Sequence, residues 1–378
     1  MVSDAIQLAF QHSDFLPVPG GSDHYVAAVQ NKPGELDALR HASPETWSRL
    51  TPLVEIVGPK KPPEAYKRET VVGWVRRVSD AVGHRPCFLD VLRLRPGHPT
   101  TTSSGTGPVL AVIHAAARKR GMAFVPVLPI SGNDSRDHLR LVGDAAACDG
   151  RGAALRYPIR RIALGPGTTH TTVLASAVKG LGMDVTYADV LVDLGYLSGD
   201  EELHAEDVGE ALKEVTAVGE WRSVVLLGTS MPSMLGGTVG EGTIGELPRR
   251  EWELWSALKR DPPGRLPTYG DYVVQHPDPP HDDDGGGPSM RANVRYTINS
   301  TTLVARGRGS VIQEGREQYR DLCQQLVGRP EFAGRDFSWG DAEIAACANG
   351  EIQPGWQNHW RGAGSSHHFR LVTEQLSR

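Results

Sequence analysis

The feature that most constrains the fold is a short apolar run that recurs eight times between residues 25 and 274. Most of these runs are apolar at nearly every position, which is typical of parallel strands that are covered on both faces. The runs occupy residues 25–30, 51–58, 86–94, 123–130, 152–159, 188–195, 222–230 and 266–274. Eight mainly parallel strands are therefore predicted.

Segments with the spacing of amphipathic helices lie between the runs. Their apolar stripes are Val71, Val75, Val78 and Val82, then Val109, Val112, Ile113 and Ala116, then Val208, Leu212 and Val215. Ser43 followed by Pro44 is typical of a helix N-cap with proline in the first turn. This alternation predicts an α/β fold of the (β/α)8 TIM-barrel type. A doubly wound open sheet is the alternative, but it usually has fewer strands, and no Gly-x-Gly-x-x-Gly motif follows the first run.

The domain organisation is predicted from where the strand-plus-helix units stop. Residues 1–275 form the barrel, and the acidic Gly/Pro-rich segment 276–290 forms a flexible loop. A hairpin that turns at Asn299 and Ser300 comes next, followed by helical segments. This C-terminal extension, residues 291–378, is too short for an independent domain, so we predict that it is integral to the barrel domain.

Composition excludes several classes of protein. The formal charge of −5 over 378 residues is mild and predicts no polyanionic partner. The four cysteines form no Cys-x-x-Cys pair, so neither a zinc site nor a disulfide framework is predicted. No apolar run has membrane-spanning length, and the N-terminus lacks a basic region with a cleavage site. We therefore expect a cytoplasmic protein without a membrane partner.

Charged residues interrupt five of the predicted strands, among them Glu55, Asp90, Arg156, Asp193 and Asp271. If they face inward, all five share the mouth of the barrel, at the end where barrel active sites form. A buried carboxylate needs an ionic, hydrogen-bonding or metal partner. Two interpretations remain open, a functional mouth and a self-neutralised structural network around Arg156.

An enzyme built on this mouth would use the acids Glu55, Asp90, Asp193 and Asp271 as catalytic groups or metal ligands. Such oxygen ligands suit Mg²⁺ or Mn²⁺ better than zinc, but no recognised ligand spacing is present, so no cofactor is assigned. The HDDD run at residues 281–284 lies among prolines and glycines. We predict a solvated loop tip there rather than a metal site.

Several segments of the chain carry a family resemblance. In chain order they are QNKPGELDAL, LTPLVEI, FLDVLRL, LPRREWELW, YGDYVV, ANVRYT, LVARG and a His-His pair before the last helix. Together they resemble the bacteriophage-type beta protein family over nearly the whole chain. The resemblance implies a role in phage–host conflict, either anti-phage defence or a prophage function. It brings no settled catalytic residues.

Basic residues and histidines complete the candidate site. The ligand-binding candidates are Lys32, Arg156, Arg295, Arg306, His367 and His368. Fixed positive charge beside a ring of carboxylates suits a phosphate-bearing or zwitterionic ligand. The two histidines are acid–base candidates if the last helix folds over the barrel, and otherwise exposed or capping residues.

Two functions are therefore predicted as alternatives. The first is binding of a phosphate-bearing small molecule or a nucleic-acid end at the mouth, with a protein encoded by a neighbouring gene as a further candidate partner. The second is a metal-assisted phosphoesterase or other hydrolase acting on nucleotides or nucleic acid. Whether the protein is an enzyme stays open. If Asp271 lies at the mouth, Asp271→Asn should leave the melting temperature unchanged or raised and abolish function.

Overall fold

The structure is a computed structural model that describes residues 17–18, 22–59, 61–94, 97–102, 105–130, 136–199, 203–278 and 291–378. Its strands in chain order are β1 (Tyr25–Gln30), β2 (Leu50–Glu55), β3 (Cys87–Asp90), β4 (Pro99–Thr102), β5 (Gly105–Pro108), β6 (Phe124–Pro129), β7 (Ala153–Tyr157), β8 (Ala188–Tyr196), β9 (Ser223–Thr229), β10 (Ile244–Pro248), β11 (Thr268–Asp271), β12 (Arg291–Ile298) and β13 (Thr301–Ser310).

Eight of these strands form a closed barrel in the order β1-β2-β3-β6-β7-β8-β9-β11, and all pair in parallel. The barrel closes where β11 pairs with β1, with Ala27 opposite Asp271. The predicted α/β barrel is thereby confirmed, and each predicted run supplies one barrel strand.

The helices in chain order are α1 (Pro33–Arg40), α2 (Pro44–Trp47), α3 (Arg68–Val82), α4 (Val109–Lys119), α5 (Arg136–Asp149), α6 (His170–Leu181), α7 (Ala205–Thr216), α8 (Arg250–Arg260), α9 (Val311–Glu314), α10 (Gln318–Val327), α11 (Trp339–Ala348) and α12 (Gln357–Leu376). The stripes on α3 and α7 are buried, as the helical spacing predicts. Ser43 caps α2, because its hydroxyl accepts the Thr46 backbone N–H at 3.2 Å. None of the described helices is long and apolar enough to span a lipid bilayer.

The barrel strands bury both faces. Side chains such as Val26, Leu53 and Val225 pack together inside the barrel. Their chain neighbours, such as Tyr25 and Val54, pack outward against the helices in a larger apolar core. Because successive side chains of a strand point to opposite faces, two-sided burial requires apolar residues at nearly every position.

The C-terminal extension has a core of its own and a sheet that it shares with β10, a strand from the segment 1–275. Strands β10, β13 and β12 form an antiparallel sheet in that order, and helices α10 and α11 cover it. The hairpin predicted at Asn299 and Ser300 is confirmed by the pairing of β12 with β13. Strand β10 was not predicted from the sequence. Neither was the β4–β5 hairpin, which lies inside the Gly/Pro-rich segment 95–108.

Helix α12 ties the extension to the barrel. Its Trp360 belongs to the extension core, whereas Phe369 and Val372 belong to the core between barrel and helices. Its backbone approaches α1 closely, since a Cβ at Gly362 would lie 2.6 Å from the carbonyl oxygen of Gly34. Only glycine permits this approach, and it brings the C-terminal helix against the first helix of the barrel.

Candidate functional site

Arg156 of β7 is the centre of a buried polar network at the C-terminal ends of the barrel strands. Its Nη1 donates to Glu55 Oε1 at 2.6 Å and to Asp90 Oδ2 at 2.5 Å, and its Nε donates to Asp193 Oδ2 at 2.9 Å. Its Nη2 donates to the Tyr272 hydroxyl at 2.6 Å, and that hydroxyl donates to Asp193 Oδ2, also at 2.6 Å. We call Arg156, Glu55, Asp90, Asp193 and Tyr272 the mouth network.

Strand register brings these residues together. Glu55 of β2 pairs with Asp90 of β3, and both follow inward-facing apolar residues by two positions. The carboxylates are also held by backbone groups, because Leu92 N–H donates to Asp90 Oδ1 at 2.7 Å and Gly195 N–H donates to Asp193 Oδ1 at 2.8 Å. Gly195 has φ +68°, a conformation that favours glycine.

Burial and charge act differently on the acids of the mouth network. Burial raises the pKa of Asp90, and the neighbouring Glu55 raises it further, so that it lies above its ordinary value despite Arg156. Burial alone also raises the pKa of Glu55, but the charges of Arg156 and Arg93 lower it below its ordinary value. Asp90 is therefore the better proton carrier of this pair, and Glu55 the more firmly ionised.

A cavity of about 250 Å³ opens directly above Arg156, Asp193 and Tyr272. Its apolar wall is formed by Leu92, Pro129, Ile130, Pro158, Ile162 and Leu194. Its polar wall contains Arg93, Arg161 and Asp278. The mouth network uses four of the five N–H groups of Arg156, so within the described residues one Nη2 hydrogen remains for a molecule in this cavity.

Two arginines meet at the edge of the cavity. Arg93 Nε donates to Glu55 Oε2 at 3.1 Å, and its Nη1 donates to Asp278 Oδ1 at 2.8 Å. Arg161 Nη2 lies 3.6 Å from Asp278 Oδ2, and its side chain is 68% exposed. These two guanidinium groups add positive charge at the entrance, whereas the floor holds three carboxylates around Arg156.

A second polar group adjoins the mouth network next to β1. Gln30 Nε2 donates to Glu55 Oε2 at 3.3 Å, and Glu35 accepts from the Gln30 backbone N–H and from Gln275 Nε2. Lys32 and Arg295, two of the predicted ligand-binding residues, place their charges near Glu35. Arg295 also donates to the Val274 carbonyl. Lys32 and Arg295 therefore lie beside the mouth network and not within it.

Asp271 does not lie at the mouth, and the expectation that it shares one rim with the other charges is wrong. The inward residues here are Gly270 of β11 and Tyr272, which directly follows the strand, so Asp271 faces the outside of the barrel. There it accepts from the Tyr25 hydroxyl, from the Tyr269 hydroxyl at 2.8 Å and from His368 Nε2 at 2.9 Å. The reason is strand alternation, which puts Asp271 on the face that Tyr25 and Tyr269 share.

The residues around Asp271 join the barrel to the extension. His368 Nδ1 lies 2.7 Å from Thr297 Oγ1 of β12, and Arg249 Nη2 lies 3.8 Å from Asp271 Oδ2. Glu251 lies 3.7 Å from Arg249 and accepts from the Ser230 hydroxyl at 2.7 Å. We call this group the interface network; it comprises Asp271, His368, Thr297, Tyr25, Tyr269, Arg249 and Glu251.

Two further predicted ligand-binding residues lie away from the mouth. His367 is buried under the extension sheet, where Nδ1 lies 3.0 Å from Asp341 Oδ2 and Nε2 lies 2.8 Å from the Thr297 carbonyl. Arg306 of β13 donates to the Val239 carbonyl. Helix α12 does fold against the barrel, but it presents His367 and His368 to buried partners instead of the cavity. Of the six ligand-binding candidates, only Arg156 lines the cavity.

Metal binding finds no support in the described part of the chain. No group of three or more His, Cys, Asp or Glu side chains there is arranged to hold an ion. The centre between Glu55, Asp90 and Asp193 is filled by the Arg156 guanidinium. The HDDD run, residues 281–284, lies outside the described residues.

Sequence reasoning missed Tyr272, Arg161 and Asp278. Strand alternation could have found Tyr272. If Asp271 faces outward, then its neighbours Gly270 and Tyr272 face inward. Arg161 and Asp278 lie in loops after β7 and β11, and no local pattern marks them.

Comparisons with known proteins place the chain by family. No curated protein matches it significantly. A chitinase from Pseudoalteromonas aurantia is 9% identical, with 55% of this chain and 94% of that chain covered and a TM-score of 0.34. A dihydrodipicolinate synthase family protein from Coccidioides immitis is 15% identical, with 66% and 76% covered and a TM-score of 0.32. PhdJ bound to a substrate intermediate is 11% identical, with 96% and 99% covered and a TM-score of 0.38.

At such identities and scores these likenesses carry no information about activity. The family comparison is more direct, because the model of one family, described as Beta protein, matches residues 25–374. That match spans all the barrel strands and nearly all of the extension, as the resemblance in the sequence implied. The chain belongs to the Beta protein family.

Proposed function

We propose that the barrel mouth binds a small phosphate-bearing ligand. The observation that carries the proposal is the convergence of Arg93 and Arg161 at the entrance of a cavity whose floor is Arg156. Guanidinium groups bind phosphate oxygens through charge-assisted hydrogen bonds, often two at a time. The apolar wall opposite them suits a hydrocarbon or ring portion of the same ligand.

The size of the cavity favours a small molecule over a nucleic-acid end. A volume of about 250 Å³ holds roughly eight water molecules at their liquid volume. A phosphorylated sugar or a nucleoside monophosphate is the largest class of ligand that this space suits. A nucleic-acid strand would also need a basic groove leading away from the site.

The metal-assisted phosphoesterase has less support. Its four proposed ligands do not converge, because Asp271 faces the interface network, and the other three acids bind Arg156. The mouth network still offers acid–base groups in Asp90 and Tyr272. We therefore propose ligand binding as the function and assign no reaction to the mouth.

The biological setting of the proposal is phage–host conflict, and it comes from the family resemblance alone. If it holds, a variant that loses ligand binding should also lose its effect on phage growth in a host that carries the gene. Plaque counts with wild type and variant, expressed at equal levels, measure this effect. Equal plaque counts for wild type and a binding-defective variant would show that the effect on phage growth does not depend on ligand binding.

Calorimetric titration with inorganic phosphate, ribose 5-phosphate and AMP tests the binding itself. We expect wild-type protein to bind at least one probe and Arg161→Gln to lose at least tenfold in affinity, since removing a hydrogen bond to a charged group costs about 1.5–3 kcal/mol. Because Arg161 is exposed, the melting temperature should not change. Arg76→Gln, on the exposed face of α3, is the matched control and should bind as wild type does. Failure of wild type to bind any probe would sink the proposal.

A further inference from the structure

We infer that Asp278 is a built-in competing anion that occupies the phosphate position of the mouth and must leave when the ligand binds. The inference rests on the proposed function of the mouth. Each carboxylate oxygen of Asp278 faces a different arginine, Oδ1 at 2.8 Å from Arg93 and Oδ2 at 3.6 Å from Arg161. Two oxygens of one phosphate group would meet the same two guanidinium groups in the same way.

Asp278 is held in a manner that permits its exchange. Its side chain is 55% exposed, so water can solvate the carboxylate as it leaves. Exposed ion pairs of this kind are weak, in contrast to the buried pairs of Arg156. Its backbone N–H donates to His276 Nδ1 at 2.9 Å.

Arg93 remains in place when Asp278 leaves. Arg93 keeps its bond to Glu55, which is 2% exposed and anchored by Arg156. The backbone before Asp278 is also fixed, because Gln275 N–H donates to the Tyr272 carbonyl at 3.0 Å and Gln275 Nε2 donates to Glu35. The movement that frees the site therefore begins after Gln275 and involves the Asp278 side chain.

This arrangement makes Asp278 a specificity-determining residue. A ligand that carries one negative charge merely replaces the carboxylate, whereas a phosphate monoester carries almost two charges at neutral pH and competes better. The site should therefore prefer phosphate monoesters to carboxylates and phosphodiesters. Removing the charge of Asp278 should raise the affinity for every anion. It should also reduce the preference for phosphate monoesters over carboxylates and phosphodiesters.

Titration of Asp278→Asn with inorganic phosphate and with AMP tests the inference. We expect about threefold to fivefold tighter binding than in wild type, as the loss of a competing exposed ion pair predicts. Asp278→Glu keeps the charge and should bind within about twofold of wild type by the same reasoning. Asp261→Asn, at the exposed end of α8, changes the net charge equally and should leave affinity unchanged.

Each outcome is decisive. If wild type binds and Asp278→Asn binds no more tightly, the inference is wrong and the proposed function stands. If Asp261→Asn gains as much as Asp278→Asn, the gain is a long-range charge effect and the inference is wrong. If neither wild type nor Asp278→Asn binds, the proposed function fails and the inference fails with it.

Discussion

The mouth network and the interface network contain the same kinds of residue in different surroundings. In each, carboxylates and tyrosine hydroxyls surround an arginine that is 2% exposed, Arg156 at the mouth and Arg249 at the interface. The mouth network forms the floor of a cavity, whereas the interface network is closed over by α12 and the extension sheet. A buried charge network is therefore no sign of function by itself.

The two networks differ in the hydrogen-bonding capacity that is left for a ligand. At the mouth, one N–H of Arg156 has no acceptor among the described residues, and Arg93 and Arg161 lie at the entrance of the cavity above it. At the interface, Asp271 accepts four hydrogen bonds, from Tyr25, Tyr269, His368 and the Val273 N–H, which fills its lone pairs. A filled carboxylate has no capacity for a ligand, and its role is to hold β11, β12 and α12 together.

Arg156→Ala should have the largest effect on stability of the variants considered. It leaves Glu55, Asp90 and Asp193 buried without their common partner, at a cost of about 3–5 kcal/mol in the free energy of unfolding. Urea unfolding at neutral pH measures the loss. Because protonation would relieve the unpaired acids, the deficit should shrink at pH 4, and a deficit that is independent of pH would contradict this account of the mouth.

Asp271→Asn should destabilise the protein by about 3 kcal/mol, because a charge-assisted acceptor is lost beside Arg249 and His368. This replaces the expectation drawn from the sequence, in which Asp271 lay at the mouth and its neutralisation left the melting temperature unchanged or raised. Thermal unfolding of wild type and Asp271→Asn measures this loss of stability. Phosphate affinity of the folded variant should stay at the wild-type value. A stable variant that had lost its phosphate affinity would instead indicate that Asp271 belongs to the binding site at the mouth.

Glu251 should make the interface network sensitive to pH. Burial raises the pKa of its carboxyl to about 7, although Arg249 opposes this. A carboxyl with a raised pKa in the folded state contributes stability below its unfolded pKa and loses it as the pH rises through 7, here by about 2 kcal/mol. Urea unfolding of wild type and Glu251→Gln at pH 5 and pH 8 measures the difference.

The comparison with Glu251→Gln is needed because His368 has the opposite sign. Burial lowers the pKa of His368, so its contribution is lost as the pH falls through its unfolded value. His368 is present in both proteins, and its contribution cancels when the two curves are subtracted. A flat difference between pH 5 and pH 8 would mean that Glu251 stays ionised in the folded protein.

The smallest expected effects form a matched pair, Tyr272→Phe and Tyr25→Phe. Each removes one hydroxyl that donates to a buried carboxylate, at about 1–2 kcal/mol. Only Tyr272 lines the cavity. Calorimetric titration should therefore show weaker phosphate binding for Tyr272→Phe and wild-type binding for Tyr25→Phe. Equal affinities in the two variants would erase the functional distinction between the networks.

Much of the fold could be predicted because its cause is local. A strand covered on both faces must be apolar at nearly every position, and eight such runs between helical stripes leave few architectures other than a closed barrel. Much of the mouth network followed for the same reason. Glu55 and Asp90 end their strands, Arg156 and Asp193 lie near the ends of theirs, and the carboxyl ends of parallel strands meet at one rim.

The sequence did not determine which side chains at β11 point into the barrel. Its four residues, TYGD, are buried on both faces, so no polar alternation shows whether Asp271 or Tyr272 points inward. Pairing with β1 and β9 fixes the face, because Gly270 must lie against Leu227 inside the barrel. A one-position choice of this kind moves a carboxylate from the mouth to the interface.

The sequence by itself determined the barrel, its membership of the Beta protein family and four of the five residues of the mouth network. Only the tertiary structure decided where α12 packs, because its position depends on the contact between Gly34 and Gly362 across more than 300 residues of chain. It also decided that Arg161 and Asp278 meet at the cavity, since both lie in loops whose paths depend on the strands they connect. Local periodicity determines which side chains are buried, and contacts between distant segments determine which of them meet.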